Sequence, residues 1–297
     1  MQDSEDLSTI VDGTPFSERV EATEEFAKIA DRILRVGTLK WSDVEADYRL
    51  LAFNSSLRRQ LESINAATLL SRNGLGHLAV AFIRAALEDA MYLEFFSQLD
   101  LEESQELFLH LGKWDAIRSL LAQRSYVGDD VMAQLWYPLP FLEAAERERE
   151  TVKTQLKGLQ IKYRWSGGTL PSADWIADRA GQRALYDYLH AATSRALHFS
   201  AGEILRRGWG HPRGALITDK QEFREHLASF ALDQLWRLYT ETWKVAIPFL
   251  EAAGISSDDA VGWDQMQPVL DRLLAAGKVP LVHAHEWNLT PNGPLKH

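Results

Sequence analysis

One stretch of the sequence is apolar on nearly every side when it is wound into an α-helix, and it reads Leu78-Ala79-Val80-Ala81-Phe82-Ile83-Arg84-Ala85-Ala86-Leu87-Glu88-Asp89-Ala90-Met91-Tyr92-Leu93-Glu94-Phe95-Phe96. A helix that is apolar all round is usually buried in the middle of a bundle, where neighbouring helices cover it. Apolar residues recur at helical spacing along most of the remaining chain, whereas strand signals are few. The sequence therefore predicts an all-α fold, a helical bundle with long helices and little or no β structure.

Glycine, proline and capping residues divide the chain into segments. We expect one helix to begin near Ser17 and a long second helix to be capped by Ser42. Further helices are predicted over about 75–99, 102–124, 129–158, 172–179, 181–207, 219–253 and 257–276. Residues 208–218 are predicted to form a loop or a short hairpin. Candidate helix stops are Gly112, Gly128, Gly158 and Gly254. The predicted organisation is an acidic, disordered N-terminus over 1–17, a single helical domain over 18–277 and an irregular C-terminal arm over 278–297.

The composition excludes several classes of function. The chain has no cysteine, which removes disulfides, thiol catalysis, cysteine-ligated zinc and iron–sulfur clusters. It also lacks a Walker loop, a dinucleotide-binding glycine fingerprint, a nucleophile elbow and a zinc-binding His-Glu-x-x-His helix, so no cofactor is predicted. The first residues are acidic and do not resemble a signal peptide, and no uncharged apolar run is long enough for a membrane span. We therefore expect a cytoplasmic protein without a membrane segment.

Charge is distributed unevenly along the sequence. The formal net charge is −10, which disfavours a nucleic-acid coat over the whole surface. The segment from Arg147 to Arg213, however, contains twelve basic residues and only six acidic ones. A basic surface of this kind could bind a phosphate backbone or an acidic partner, or it could be a solvated helix face with neighbouring ion pairs.

The apolar helix carries two opposite charges on one face, at Arg84 and Glu88. Burying either charge alone costs several kcal/mol, so we expect the two side chains to form a buried pair. Such a pair could be structural and set the helix register. It could instead line a polar pocket in which Arg84 binds an anion and Glu88 orients a base or a ligand.

A second polar stripe lies in the predicted helix 181–207. Its members are spaced by four, three, four and four residues and share a broad face: Arg183, Asp187, His190, Ser194 and His198. A histidine can act as a general base near neutral pH, and an arginine can stabilise a phosphoryl transition state. The candidate catalytic residues are therefore Arg183, His190 and His198. The candidate binding residues are Arg84, Glu88, Tyr186, Ser194 and Arg195. A metal held by His190, His198 and Glu88 is geometrically conceivable, but no metal is predicted.

The pair of polar helices resembles a bacterial family of helical proteins of unknown function. The pattern of that family is an Arg-x-x-x-Glu helix followed much later by a tyrosine-rich helix with serine and histidine. Arg84 to Glu88 and Tyr186 to His198 match this pattern, and the resemblance covers about residues 60–210. The family in turn is similar to the HEPN superfamily, whose helical bundles include many ribonucleases of toxin–antitoxin and phage-defence systems.

The resemblance implies a metal-independent ribonuclease or a nucleotide-handling protein. HEPN nucleases carry an arginine followed after four to six residues by a histidine, and two pairs here fit: Arg183 with His190, and Arg72 with His77. The resemblance implies that the histidine assists proton transfer at the 2′-hydroxyl of RNA while the arginine holds the scissile phosphate. It also implies RNA or a nucleotide as a partner and a homodimer as the assembly. The alternative is a helical interaction module that binds a protein partner and catalyses nothing.

Overall fold

The computed structural model describes residues 14–36, 39–166, 168–198, 200–201, 204, 209–210, 216–217, 221–254 and 260–282. Within these ranges eleven α-helices have defined bounds: α1 Phe16–Val36, α2 Trp41–Ala46, α3 Tyr48–Arg72, α4 Val80–Ser97, α5 Leu101–Val127, α6 Asp129–Gln134, α7 Leu139–Tyr163, α8 Ala173–Arg179, α9 Arg183–Leu197, α10 Gln221–Ala252 and α11 Ala260–Ala275. A 3₁₀ turn over Gly76–Ala79 precedes α4. The described β structure is one two-residue antiparallel ladder, β1 Trp209–Gly210 with β2 Leu216–Ile217. The all-α prediction is confirmed, and the short hairpin falls inside residues 208–218 as expected.

The apolar helix and α10 form the centre of the bundle. Helix α4 packs against α3, α8, α9 and α10, and its Ile83, Leu87 and Met91 are fully buried. Helix α10 also contacts α1, α3 and the 3₁₀ turn, while α11 packs on α1. The first residues of the predicted C-terminal arm join this core, because Val279 is buried and its backbone N–H donates to the Asp233 carboxylate. Residues 1–13 and 283–297, where the remaining disordered or irregular termini were predicted, lie outside the described residues.

Helices α5 and α7 form a long hairpin on one side of the bundle. They pack mainly on each other, and α5 also contacts α3. Their shared seam buries Leu107, Val152 and Leu156. Gly112 and Gly158 lie inside continuous helices, so they are not helix stops, whereas Gly128 does end α5 with a positive φ of 83°.

Several predicted helix bounds are corrected by local chemistry. Ser42 does not cap the second helix, because Asp47 adopts extended geometry and caps α3 through a hydrogen bond from the Arg49 N–H. The predicted helix 129–158 is two helices separated by residues 135–138, where Trp136 has a positive φ of 72° and Pro138 is the N-cap of α7. The predicted helix 181–207 ends at Leu197, because His198 is extended.

The connection from α3 to α4 brings the chain unusually close to α10. Helix α3 ends at Arg72 with Asn73 as its C-cap, and Gly74 follows with a φ of 71°, a conformation that favours glycine. At Gly76, an added Cβ would lie 2.6 Å from the Ala228 Cβ, so only glycine permits this approach of the turn to α10. These two glycines lie in the interruption between α3 and α4.

Candidate functional site

The candidate site lies where α9 crosses α4. Helix α9 turns Tyr186, Leu189 and Ala192 toward the core, and this buried face packs on α4. Arg84 and Glu88, one turn apart on α4, lie at the edge of that contact. The two helices therefore bring together the polar residues that the sequence places about a hundred positions apart.

Arg84 and Glu88 form the predicted pair, but at the rim of the core and not inside it. The Arg84 Nε donates to the Glu88 Oε1 at 2.5 Å. The side chains are 22% and 38% exposed, respectively, so both are half-buried. The Arg84 guanidinium also lies over the Tyr186 ring, with its Cζ 5.6 Å from the ring centroid. Arg84 is thus held by a carboxylate and an aromatic face while one side remains open to solvent.

His190 occupies the next turn of α9 beside Tyr186. The two rings have centroids 5.0 Å apart at an interplanar angle of 40°. Burial lowers the pKa of His190, and the positive charge of Arg84 lowers it further. Glu88 and Asp187 act in the opposite direction, while His198 adds a smaller lowering of the same pKa. A pKa below the ordinary value of about 6.5 keeps the imidazole neutral at pH 7, which is the form that accepts a proton.

Arg183 forms ion pairs with three carboxylates. Its Nε donates to Asp187 at 2.9 Å, and its Nη1 lies 3.2 Å from Asp178 and 3.9 Å from Asp174. The hydrogen bond that Arg183 donates to Asp187 is the main cause that raises the pKa of Arg183. Three carboxylates already surround this exposed guanidinium, whereas the guanidinium that acts on His190 belongs to Arg84. The structure therefore does not favour Arg183 as the group that holds a phosphate next to His190.

The remaining predicted residues lie along the last turn of α9. Ser194 and Arg195 are half-buried, and the Ser194 carbonyl accepts a hydrogen bond from the His198 N–H at 3.1 Å. His198 follows the end of the helix and is exposed. The stripe is therefore helical only as far as Ser194, because the helix ends earlier than its pattern predicts.

The competing pair of Arg72 and His77 is not on one helix. Arg72 ends α3 and forms an ion pair with Glu24 of α1, with the Arg72 Nε 2.9 Å from the Glu24 Oε2. His77 lies beyond Asn73 and Gly74, in the 3₁₀ turn, and is buried. Arg72 and His77 therefore do not share a helix, whereas Arg183 and His190 both lie on α9.

The sequence did not identify the partners that neutralise Arg183. Asp174 and Asp178 lie on α8, one helical turn apart, and α8 packs against α9. The four-residue spacing of Asp174 and Asp178 could have predicted a cation-binding helix face, because two carboxylates on one face attract a cation. Only the contact between α8 and α9 shows which cation they attract.

Two residues of the basic stretch line a groove on the α5–α7 hairpin. Arg149 and Lys153 of α7 line a groove of about 350 Å³ together with Trp114 and Arg118 of α5, and Glu150 lies among them. Glu150 pairs with Arg149 at 3.2 Å, so the local charge is only partly free to attract an anion. Arg206, Arg207 and Arg213 of the same stretch lie outside the residues whose side chains are described.

The described residues show neither a metal cluster nor a membrane span. Nowhere in the described ranges do three histidine, aspartate or glutamate side chains come together in a way that could hold a metal ion, and this includes Glu88, His190 and His198. Among the helices that the structure describes, none has both the length and the apolar character needed to cross a membrane.

Fold and site together define an all-α bundle protein in which a histidine, an arginine–glutamate pair and a tyrosine meet between two helices. A family model described as "Family of unknown function (DUF5677)" matches residues 51–214, which is more than half of the 297-residue chain. The chain belongs to this family, and the matched range includes both α4 and α9. No curated protein and no solved structure matches the chain. The resemblance to a helical family of unknown function is thus supported, and the further similarity to HEPN proteins stays a prediction.

Proposed function

We propose that this protein is a HEPN-like, metal-independent ribonuclease whose general base is His190. The observation that carries the proposal is the position of the half-buried His190 ring, in contact with Tyr186 and next to the Arg84–Glu88 pair. A neutral imidazole can remove a proton, and a guanidinium with an open side can bind a phosphate oxygen. Glu88 and Tyr186 hold that guanidinium in one orientation, which reduces the entropy lost when substrate binds.

In the proposed reaction His190 removes the proton from the 2′-hydroxyl of a ribose. The 2′-oxygen forms a bond to the adjacent phosphorus, and the bond from phosphorus to the 5′-oxygen breaks. The 5′-oxygen takes a proton, for which His198 is the candidate donor, and the other product ends in a 2′,3′-cyclic phosphate. Arg84 stabilises the negative charge that grows on the phosphate oxygens, in the role that the sequence had assigned to Arg183.

The test is cleavage of a single-stranded RNA in the presence of a chelator. General acid–base catalysis contributes about 10²–10⁴-fold, so His190→Ala should reduce cleavage by that factor. His110→Ala is the matched control, because His110 lies on α5 in the hairpin and contacts the backbone of Glu106. Detection of a 2′,3′-cyclic end supports the mechanism. If the protein cuts no RNA with or without divalent metal, the ribonuclease proposal is wrong, and if only His77→Ala abolishes cleavage, the site is misassigned.

A second candidate, the interaction module, is favoured by the tip of the α5–α7 hairpin. Tyr126 and Trp136 are 91% and 92% exposed, and Leu135, Leu139 and Phe141 beside them are also exposed. Trp136 has a φ of 72°, a conformation that costs an L-residue roughly 1–2 kcal/mol. Exposed apolar clusters mark interaction sites, and two-fold homodimers are the commonest assemblies. The partner proposed for this tip is a second copy of the chain, which agrees with the predicted homodimer.

Light scattering after size-exclusion chromatography tests this second candidate. The variant Trp136→Ser with Tyr126→Ser should convert a dimer into a monomer, whereas Trp41→Ser, an exposed tryptophan on α2, should not. A protein that is monomeric at all concentrations, or a dimer that survives the double substitution, contradicts the assignment.

A further inference from the structure

A separate cavity lies at the start of α10, on residues that the candidate site does not use. Its volume is about 390 Å³, within the range of roughly 300–1,000 Å³ typical of small-molecule sites. Its lining is mostly polar and comprises Phe16, Ser71, Arg72, Gly74, Gly76, Gln221, Arg224, Glu225 and Ala228. None of these residues belongs to the group around His190.

Two guanidinium groups face this cavity from different elements. Arg72 comes from the end of α3 and Arg224 from the first turn of α10, where its Nη1 lies 3.5 Å from the Gly74 carbonyl oxygen. Arg72 is paired with Glu24, and Glu225 accepts a hydrogen bond from the Gln221 Nε2 at 2.6 Å. The cavity thus offers two cations, and an anion of higher charge can compete with Glu24 for Arg72.

A buried hydroxyl is the second observation that points to a ligand. Ser71 is 4% exposed and lines the cavity, yet its Oγ has no hydrogen-bond partner among the described residues. Leaving a buried polar group unpaired costs roughly 1–3 kcal/mol, so natural proteins seldom keep one without a use. This Oγ is closed off from solvent beside Gly76, so a ligand oxygen in the cavity satisfies the donor once the turn that carries Gly76 moves aside.

Backbone features of the cavity favour a negative charge. Helix α10 is 32 residues long, and Gln221 in its first turn lines the cavity, so the positive end of the helix dipole lies there. Helix N-termini are common binding sites for phosphate groups. Gly74 adds no side chain here, and nothing lies within 4 Å of the position that its Cβ would take, so the space beside it stays open.

We propose that this cavity binds a phosphate group through Arg72, Arg224 and the hydroxyl of Ser71. The size of the cavity leaves room for an organic group beyond the phosphate, so a phosphomonoester is the preferred class of ligand over free phosphate. This site is independent of the proposed ribonuclease chemistry, because it shares no residue with the group around Arg84 and His190.

Isothermal titration calorimetry of the full chain with inorganic phosphate and with adenosine 5′-monophosphate tests the proposal. A hydrogen bond to a charged group is worth about 1.5–3 kcal/mol, so Ser71→Ala and Arg224→Gln should each weaken binding roughly tenfold or more. Arg35→Gln is the matched control, because Arg35 is an exposed arginine on α1 that pairs with Asp31. His190→Ala should leave the affinity unchanged.

The melting temperature separates a binding role of Ser71 from a structural one. Without ligand, Ser71→Ala should melt at the same temperature as the parent or higher, because it removes an unpaired buried hydroxyl. The stabilisation of the parent by added phosphate should be lost in the same variant. Tighter binding of adenosine 5′-monophosphate identifies a phosphomonoester site, and equal binding identifies a free-phosphate site. Absence of binding, or binding that Arg84→Gln abolishes and Ser71→Ala leaves intact, overturns the proposal.

Discussion

The guanidinium of Arg84 lies over the ring of Tyr186, with its Cζ 5.6 Å from the ring centroid, and this contact joins α4 to α9. The same tyrosine ring contacts His190 one helical turn later. Tyr186 is itself buried in the core, so it fixes the positions of both the Arg84 guanidinium and the His190 imidazole. A change at Arg84 should therefore be detectable at His190.

The first prediction is that charges on α4 set the pKa of His190. Arg84→Gln should raise that pKa, because the positive charge of Arg84 lowers it in the parent. Glu88→Gln should lower it, because Glu88 acts in the opposite direction. Titration of the imidazole C–H resonances by NMR measures both shifts. Arg118→Gln on the hairpin is the control and should leave the resonance unchanged, and shifts of the same sign in both α4 variants would contradict the geometry.

A second prediction concerns stability as a function of pH. The pKa of His190 is lower in the folded protein than its ordinary value of about 6.5, so the unfolded chain binds the proton more tightly. At pH values above the pKa that His190 has in the unfolded chain, His190 does not reduce the free energy of unfolding. As the pH falls below that value, the unfolded chain binds the proton first and the free energy of unfolding decreases. His190→Gln should flatten the fall in the free energy of unfolding below about pH 6.5, measured by denaturant titration at several pH values. A curve parallel to that of the parent would rule out the lowered pKa.

The third prediction compares the two arginines that could hold a phosphate. Arg84→Gln should reduce RNA cleavage by about 10²–10³-fold, because in the proposed reaction Arg84 donates to the reacting phosphate. Arg183→Gln should change cleavage far less, because three carboxylates already occupy that guanidinium. The measurement is kcat/KM for the same RNA with both variants. The reverse order of effects would restore Arg183 to the role that the sequence assigned to it.

A fourth prediction concerns the modest contribution of the Arg84–Glu88 pair to folding. Its side chains are 22% and 38% exposed, so water screens the charges. Glu88→Ala should lower the free energy of unfolding by about 1 kcal/mol, less than the roughly 3–5 kcal/mol expected when a fully buried pair is broken. Chemical denaturation measures this difference, and a loss in the larger range would mean that the pair is sealed in the core.

The final prediction compares the effect on stability of replacing two glycines, one with a positive φ and one inside a regular helix. Gly74→Ala should destabilise the protein by about 1–2 kcal/mol, because its φ of 71° strains an L-residue. Gly112→Ala, in the middle of α5 and with nothing within 4 Å of an added Cβ, should stabilise it by about 0.5–1 kcal/mol. Thermal denaturation compares the two, and equal effects would contradict the assigned backbone conformations.

The sequence by itself determined the class of fold and the two helices that carry the site. The apolar run around Ile83 and Leu87 predicted a central helix, and the spacing of Arg84 and Glu88 placed both charges on one of its faces. These inferences succeed because helical periodicity and the cost of burying charge are local properties of the chain. The four-residue spacing also predicted the ion pair itself.

Only the tertiary structure decided which groups meet across helices. The packing of α8 against α9 places Asp174 and Asp178 next to Arg183 as ion-pair partners. The packing of α9 on α4 places Arg84 close enough to His190 to lower its pKa. It also placed the charged pair at the rim of the core, and it ended α9 at Leu197 before the predicted stripe was complete. No local pattern contains this information, because an ion pair or a pKa depends on distances between residues that are remote in sequence, and those distances are set by how whole helix faces pack.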